Sequence, residues 1–244
     1  MKILRNFLYQ TKTFINDLFR YPNLGMQDSN YDLYWQEKKK GTLGMPNSFQ
    51  IARGRWIASK VEDGASVVDV GCGDGSVLFV MLGSKRIQAM GLDVSPFILN
   101  FLKSKNIDAQ SFDLNSVDAA KNVPINDHAL VLEVLEHLAQ PEKFLLDLLA
   151  RVNKSVFISI PNTGYLHHRL RLLFGRFPLQ WRAHPSEHLR FWTLSDFHWW
   201  TNQLGIESRT KIYCYAGIPI LNRVWPALFA QGIIAEIKKQ EILD

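Results

Sequence analysis

From Ser66 onward the chain alternates short apolar runs with segments in which apolar residues recur every three or four positions. A run of five or six apolar residues between turn signals fits a strand buried on both faces, and the longer spacing fits a helix with one covered face. The pattern predicts strands over 66–70, 87–93, 108–113, 128–133 and 155–160, and helices over 76–82, 95–103 and 141–152. Pro141 opens the last helix at a first helical position, where its missing N–H costs nothing. After "ISIPN" the alternation stops, and residues 161–192 read as an insertion. A helix over 194–204, a strand over 206–215 and a last strand over 233–237 resume the pattern. The expected fold is α/β: a Rossmann-like, mainly parallel seven-stranded sheet with helices on both faces. It occupies residues 51–241 behind a helical prefix or lid over 1–50.

The prefix has a pattern of its own. Ile3, Leu4, Phe7, Leu8, Phe14, Ile15, Leu18 and Phe19 fall on one helical face, with Lys2, Arg5, Lys12 and Arg20 among the polar positions. Such a face must be covered, by its own domain, by a second subunit or by an anionic membrane surface. Asn6, Gln10, Thr11 and Lys12 interrupt the apolar run that a signal peptide needs, and no stretch of eighteen apolar residues follows. The expected location is the cytoplasm, with peripheral membrane contact through residues 1–20 as the one exception.

Composition adds little to this picture. With 244 residues and 47% apolar content the chain can fill one sizeable core. Cys72 and Cys214 make no disulfide framework, and no C-x-x-C metal spacing is present.

The chemistry begins at "VVDVGCGDG", residues 67–75. A glycine-rich turn after a strand lets a ligand approach the backbone, and the charges beside it select the ligand. A dinucleotide fingerprint needs glycine three residues after Gly73, where Ser76 stands, and the third glycine comes early, at Gly75. Asp69 and Asp74 would repel a pyrophosphate, and no Lys-Ser or Lys-Thr pair follows to make a P-loop. A ligand carrying a sulfonium and an amino group finds those acids favourable. The turn, Gly71, Cys72, Gly73 and Gly75 with Asp69, therefore predicts S-adenosylmethionine.

Further acids stand where the next strands end. Asp93, 22 residues after Gly71 and followed by Val94, suits a ribose diol. Asp113, followed by Leu114, suits an adenine amino group or caps the next helix. "VLEVLEH" ends the fourth strand with Glu133, Glu136 and His137. All face the carboxyl edge of one sheet, where open α/β folds bind ligands.

At these residues the chain resembles the class I S-adenosylmethionine-dependent methyltransferases. "VVDVGCGDG" is similar to their first motif, and Asp93 falls where their ribose-binding acid falls. "LEVLEHLAQPEKFLLDLLARV" followed by "VFISIPN", then "SIPNTGYLHHRLRLLFGRFP" and "WTLSDF", resemble the MetW-type methionine biosynthesis proteins, over about Arg53 to Lys238. The prefix, with "NYDLYWQEKKKG", and "EHLRFWT" look more like methyltransferases of sugars, lipids or secondary metabolites. The resemblance thus implies two functions: methyl transfer to a small or lipid- or sugar-linked acceptor, or a MetW-like accessory role that binds a biosynthetic acyltransferase.

For methyl transfer the protein must align the acceptor and, for a hydroxyl, take its proton. His137 and His188 are the candidate bases, since an imidazole titrates near neutrality. Arg53 and Arg55, before the first strand, either hold the cofactor's carboxylate or lie on a solvated helix face. Residues 161–192 carry five arginines, no lysine and a single acid, Glu187. Arginine forks pair with phosphate or carboxylate, so Arg169, Arg171 and Arg182 are expected to bind an anionic acceptor. Nucleic acid is disfavoured, because the basic charge sits in one short segment without a recognition module.

Overall fold

The computed structural model describes residues 15–21, 31–38, 41–180 and 188–240. Its elements run α1 (Tyr31–Lys38), α2 (Ser48–Ala58), β1 (Ser66–Val70), α3 (Ser76–Leu82), β2 (Gln88–Asp93), α4 (Pro96–Ser104), β3 (Asp108–Ser111), β4 (Asn126–Leu132), α5 (Pro141–Leu149) and β5 (Val152–Pro161). They continue with α6 (Leu166–Leu173), α7 (Leu194–Gln203), β6 (Thr210–Tyr215), two single turns, α8 (Leu221–Val224) and α9 (Pro226–Phe229), and β7 (Gly232–Lys238).

The seven strands form one sheet in the order β3-β2-β1-β4-β5-β7-β6. The first five are parallel, and β7 runs antiparallel to both of its neighbours. Strand order reverses between β1 and β4, which opens a crevice at their carboxyl ends.

Alternation along the strands explains how each face is filled. Val68, Val70, Ala129, Val131, Ile158, Ile160 and Ile233 join one core cluster with α5 and α7. Val67, Leu130, Phe157 and Ile234 join the other, with α2, α3 and α4. The same alternation turns Asp69 and Ser159 toward the α2 side, in step with Val67 and Phe157. Helix starts follow local chemistry: Asn47 and Gln50 form a capping box on α2, Ser95 caps α4 ahead of Pro96, and Thr193 with Asp196 caps α7.

Several boundaries differ from the pattern's expectation. β3 stops at Ser111 because Asp113 turns its carboxylate onto the Asn115 N–H at 2.8 Å, closing a local turn. Helix α5 stops at Leu149 because Val152 already pairs with Asn126. The polar residues Glu207–Arg209 form a 3-10 turn, so β6 begins only at Thr210.

The 161–192 excursion closes on itself. Asn162 bridges Trp192, and the Thr163 N–H donates to the Trp192 carbonyl at 2.9 Å. Within it, α6 carries the described part of the N-terminal segment: Phe19 packs on Phe174 with ring centroids 5.3 Å apart, and the Arg176 guanidinium lies 3.8 Å over the Tyr21 ring. Leu18 is buried there, while Ile15 and Phe19 stay half-exposed. The remainder of the amphipathic face, residues 1–14, lies outside the described residues. No helix among the described residues is long and apolar enough to cross a membrane.

Candidate active site

The turn after β1 is built for close backbone approach. Gly71, Gly73 and Gly75 all adopt positive φ, at 74°, 49° and 67°. Their neighbours also leave no room for side chains: a Cβ on Gly71 would lie 2.8 Å from Val134, and one on Gly75 2.5 Å from Leu102. The Gly71 and Cys72 N–H groups both donate to the Leu92 carbonyl, at 2.8 and 3.0 Å, which ties the turn to the end of β2. Asp93 completes that tie. One of its carboxylate oxygens accepts the Gly73 N–H at 2.9 Å and the other the Ser95 N–H at 3.0 Å.

The predicted acids divide by task. Asp69 is buried on the α2 side, and burial pushes its carboxyl up to about 7, with Arg53 opposing the rise and Asp93 adding to it. Burial also raises the Asp93 carboxyl, against the pull of the Ser95 and Gly73 amides. Asp74 faces inward, where it accepts the Gly44 N–H at 3.2 Å and the Ser76 N–H at 3.3 Å. Asp113 is exposed, with one oxygen on the Asn115 amide. Leu114 lies beside Gly71 and Val94 is exposed at the β2 tip.

Cys72 can meet a ligand only through its backbone. Its sulfur sits in the core against Gly91, and burial raises its thiol well above the ordinary range.

Across the crevice, α2 carries Arg53 into the interior, so Arg53 does not lie on a solvated helix face. Its Nη1 lies 2.9 Å from Glu133 and donates to the Ser159 hydroxyl at 3.1 Å, while that hydroxyl donates to Glu133 at 2.8 Å. One oxygen of Glu133 is thereby committed, and its backbone leaves β4 with φ of 57°. The Tyr215 phenol is raised, chiefly by burial and then by the charge of Glu133. Arg55 is exposed on the same helix. Arg53 and Glu133 stand out singly in the sequence, but their pairing through Ser159 has no sequence signal, and Tyr215 has none.

Beyond Glu133 the chain turns through Glu136 and His137. Glu136 is 1% exposed, and burial, with Glu133 as a second cause, raises its carboxyl well above the usual range. His188 reaches the same place from the far end of the excursion, its ring edge-on to His137 with centroids 4.7 Å apart. Structure therefore brings the two predicted bases together.

The arginines of the excursion have mostly internal tasks, which corrects the expectation for Arg171. It is 1% exposed, and its guanidinium donates to the carbonyls of Phe177 at 2.9 Å, Arg20 at 3.0 Å and Asp17. Three backbone carbonyls take three of its five N–H groups, and its burial turns it away from an acceptor molecule. Arg169 is exposed with its Nε on the Gly164 carbonyl at 2.7 Å, Arg190 donates to the Ala139 carbonyl at 2.6 Å, and Arg182 lies outside the described residues.

The prefix supplies residues that the sequence pattern did not flag. Asp32 of α1 accepts the Ser95 hydroxyl, and the Trp35 ring covers Gly73 so closely that a Cβ there would lie 2.8 Å from it.

The family model described as methionine biosynthesis protein MetW matches residues 52–236. The chain belongs to the MetW family. Solved structures similar to this MetW-family chain include a SAM-dependent methyltransferase from Archaeoglobus fulgidus, at 17% identity over 86% of this chain and 100% of that one, with TM-score 0.55. A complex of a methyltransferase with its activator from Haloferax volcanii matches at 14% identity, 89% and 100% coverage and TM-score 0.58. Magnesium protoporphyrin IX methyltransferase from Synechocystis PCC 6803, with bound SAH, matches at 15% identity, 98% and 99% coverage and TM-score 0.53. The fold is that of the class I methyltransferases, a mainly parallel seven-stranded Rossmann-like sheet. No curated protein matches the sequence.

Proposed function

We propose that the chain binds S-adenosylmethionine in the crevice between β1, β2 and β4 and transfers its methyl group to a small or lipid- or sugar-linked acceptor. The observation that carries this reading is the coupling of the left-handed glycine turn to the Asp93 carboxylate through the Gly73 N–H. The donor set fits the cofactor: Asp69 and Asp93 are buried acids whose ionised forms lack full compensation, which suits a cationic ligand and not a pyrophosphate. Bound SAH in the similar Synechocystis enzyme agrees with that choice.

When bound, the cofactor supplies a methyl group already activated on its sulfonium. The protein's part is to hold and align. Backbone groups at Gly71, Cys72, Gly73 and Gly75 permit close approach, Asp69 offsets positive charge, and Asp93 with Val94 takes the ribose edge. Asp113 and Leu114 flank the adenine, and Glu133, anchored by Arg53, closes the far wall. His137 and His188 stand at the acceptor, where an imidazole can take a hydroxyl proton. An anionic acceptor is supported by the charge of residues 161–192, with Arg169 and Arg182 as its partners. Residues 1–50 serve as a prefix over the 51–241 domain, since Trp35 covers Gly73 of the cofactor turn and Asp32 meets Ser95 beside Asp93.

Family membership favours a second reading, in which the chain is an accessory protein that binds a biosynthetic acyltransferase. The Haloferax complex shows a methyltransferase of this fold bound to another protein. One experiment separates the two: labelled methyl transfer from S-adenosylmethionine, screened over matched phosphorylated and neutral acceptors with wild-type and Arg169→Ala protein. Methylation of an anionic acceptor that falls in the variant is expected. Absence of transfer to any acceptor, with stoichiometric copurification of an acyltransferase, would replace the first reading by the second.

A further inference from the structure

Glu136, His137 and His188 form a cluster that proton transfer alone does not explain. One ligand-type atom from each lies within 4.8 Å of the other two. Glu136 and His137 follow β4 directly, whereas His188 comes from a segment 51 residues later in the sequence. The backbone fixes these two segments together: the Leu189 and Arg190 N–H groups both donate to the Glu136 carbonyl, at 2.7 and 3.1 Å. Arg190 adds its side-chain bond to Ala139. His188 is thus held beside Glu136 by the main chain, independently of what the side chains do.

The second observation is the Glu136 carboxylate itself. Both of its oxygens are buried and accept no hydrogen bond among the described residues. A buried carboxylate without donors is costly, and native structures seldom keep one unless an ion or ligand compensates it. Arg53 favours the Glu136 charge from nearby but gives its Nη1 to Glu133 and Ser159, so both Glu136 oxygens keep their lone pairs for a ligand that would sit beside two imidazoles.

We propose that Glu136, His137 and His188 bind a divalent first-row transition-metal ion. Two imidazole nitrogens and one carboxylate favour zinc, iron, cobalt or nickel over the oxygen-seeking magnesium and calcium. Ligand atoms around such an ion, bound at about 2.0–2.2 Å, stand about 3–4 Å apart, so the present spacing needs only a small contraction. Three protein ligands leave coordination positions open. The site adjoins the cofactor turn, because Val134, between Glu133 and Glu136, is the residue that packs on Gly71. Resting on the methyl-transfer reading, the open positions assign the acceptor a metal-binding oxygen, as a hydroxyl or carboxylate. With the ion bound, the two imidazoles are its ligands, and the proton-accepting task that they have without it falls to the ion, which lowers the pKa of a hydroxyl that it binds.

The test needs neither cofactor nor acceptor, so its outcome is separate from that of the methyl-transfer reading. Full-length protein is stripped with a chelator and titrated with Co²⁺, followed by visible ligand-field absorption, and with Zn²⁺ by calorimetry. A single saturable ion per chain is expected, with cobalt bands of an imidazole-containing site. Loss of an outer hydrogen-bond partner alone costs roughly 10- to 100-fold in metal affinity, so His188→Gln and Glu136→Gln should each cost about 100-fold or more. Glu136→Gln removes a buried charge, so its metal-free form should unfold at or above the wild-type temperature. Zn²⁺ should then raise the unfolding temperature of the wild type and not of this variant. Absence of saturable binding by the wild type, or equal binding by both variants, would overturn the proposal.

Discussion

Arg53 Nη1 lies 2.9 Å from the Glu133 carboxylate, and this pair joins the helix before β1 to the turn after β4. Arg53 is almost fully buried, and it is the cation facing Glu133, Glu136 and Asp69 together. Arg53→Ala should lower unfolding free energy by about 1.5–3 kcal/mol, the usual worth of hydrogen bonds to a charged group. Urea denaturation measures the loss. A change within a few tenths of a kcal/mol would show that the pair does not hold the two sides together.

Arg171 reads as a clamp and not as a ligand contact. Replacing it with Ala removes its bonds to the carbonyls of Phe177, Arg20 and Asp17. Local opening of α6 and of residues 15–21 should become easier by about 2 kcal/mol, or roughly 30-fold in hydrogen exchange. Affinity for S-adenosylhomocysteine should not change. Unaltered exchange in those segments, or weakened ligand binding, would return Arg171 to the acceptor site.

Trp35 covers Gly73 in the turn that we assign to the cofactor. S-adenosylhomocysteine should therefore alter tryptophan emission, and Trp35→Phe should abolish most of that change although other tryptophans remain. The same emission change in both proteins would place the ligand away from α1.

Asp69 makes cofactor binding depend on pH. Burial raises its carboxyl from an ordinary 3.8 to about 7, so it is largely neutral in the free protein below that pH. A raised carboxyl stabilises the fold most fully below its unfolded value, and that contribution is lost as pH climbs through about 7. A sulfonium nearby favours the ionised form and lowers the carboxyl again. Calorimetry in paired buffers should show S-adenosylmethionine tightening roughly fivefold to tenfold from about pH 6 to pH 8, with proton release below pH 7. S-adenosylhomocysteine, whose sulfur is uncharged, should tighten less. Equal pH dependence for both ligands would remove the charge argument, as would equal weakening of both by Asp69→Asn.

What the sequence reveals and what it hides have separable physical causes. The sheet is legible because buried strands declare themselves as apolar runs, and "VVDVGCGDG" places the turn because left-handed backbone in contact with Val134 and Leu102 calls for glycine. Asp93 is legible because it ends a strand. The Arg53–Glu133 pair is not, since its partners lie 80 residues apart and meet only through packing of α2 on the sheet. Composition cannot tell an arginine that meets a ligand from one that meets carbonyls, which is why Arg171 misleads. The end of β3 is lost for a similar reason, because the side chain of Asp113 competes with the ladder for its own backbone. Asp32 and Trp35 belong to a short helix whose partner surface no periodicity announces.

If the carboxyl edge of β1 and β2 holds S-adenosylmethionine, S-adenosylhomocysteine must bind there too, and calorimetric titration measures that binding. Wild-type protein should bind at a single site. Asp93→Ala removes a charged acceptor whose hydrogen bonds to the ribose are each worth roughly 1.5–3 kcal/mol, so affinity should fall about 10- to 100-fold or more. The variant also loses the acceptor for the Gly73 and Ser95 amides, so thermal unfolding is recorded in parallel to establish that the titrated protein is folded. No binding by the wild type, or unchanged affinity in folded Asp93→Ala protein, would show that this edge is not the cofactor site.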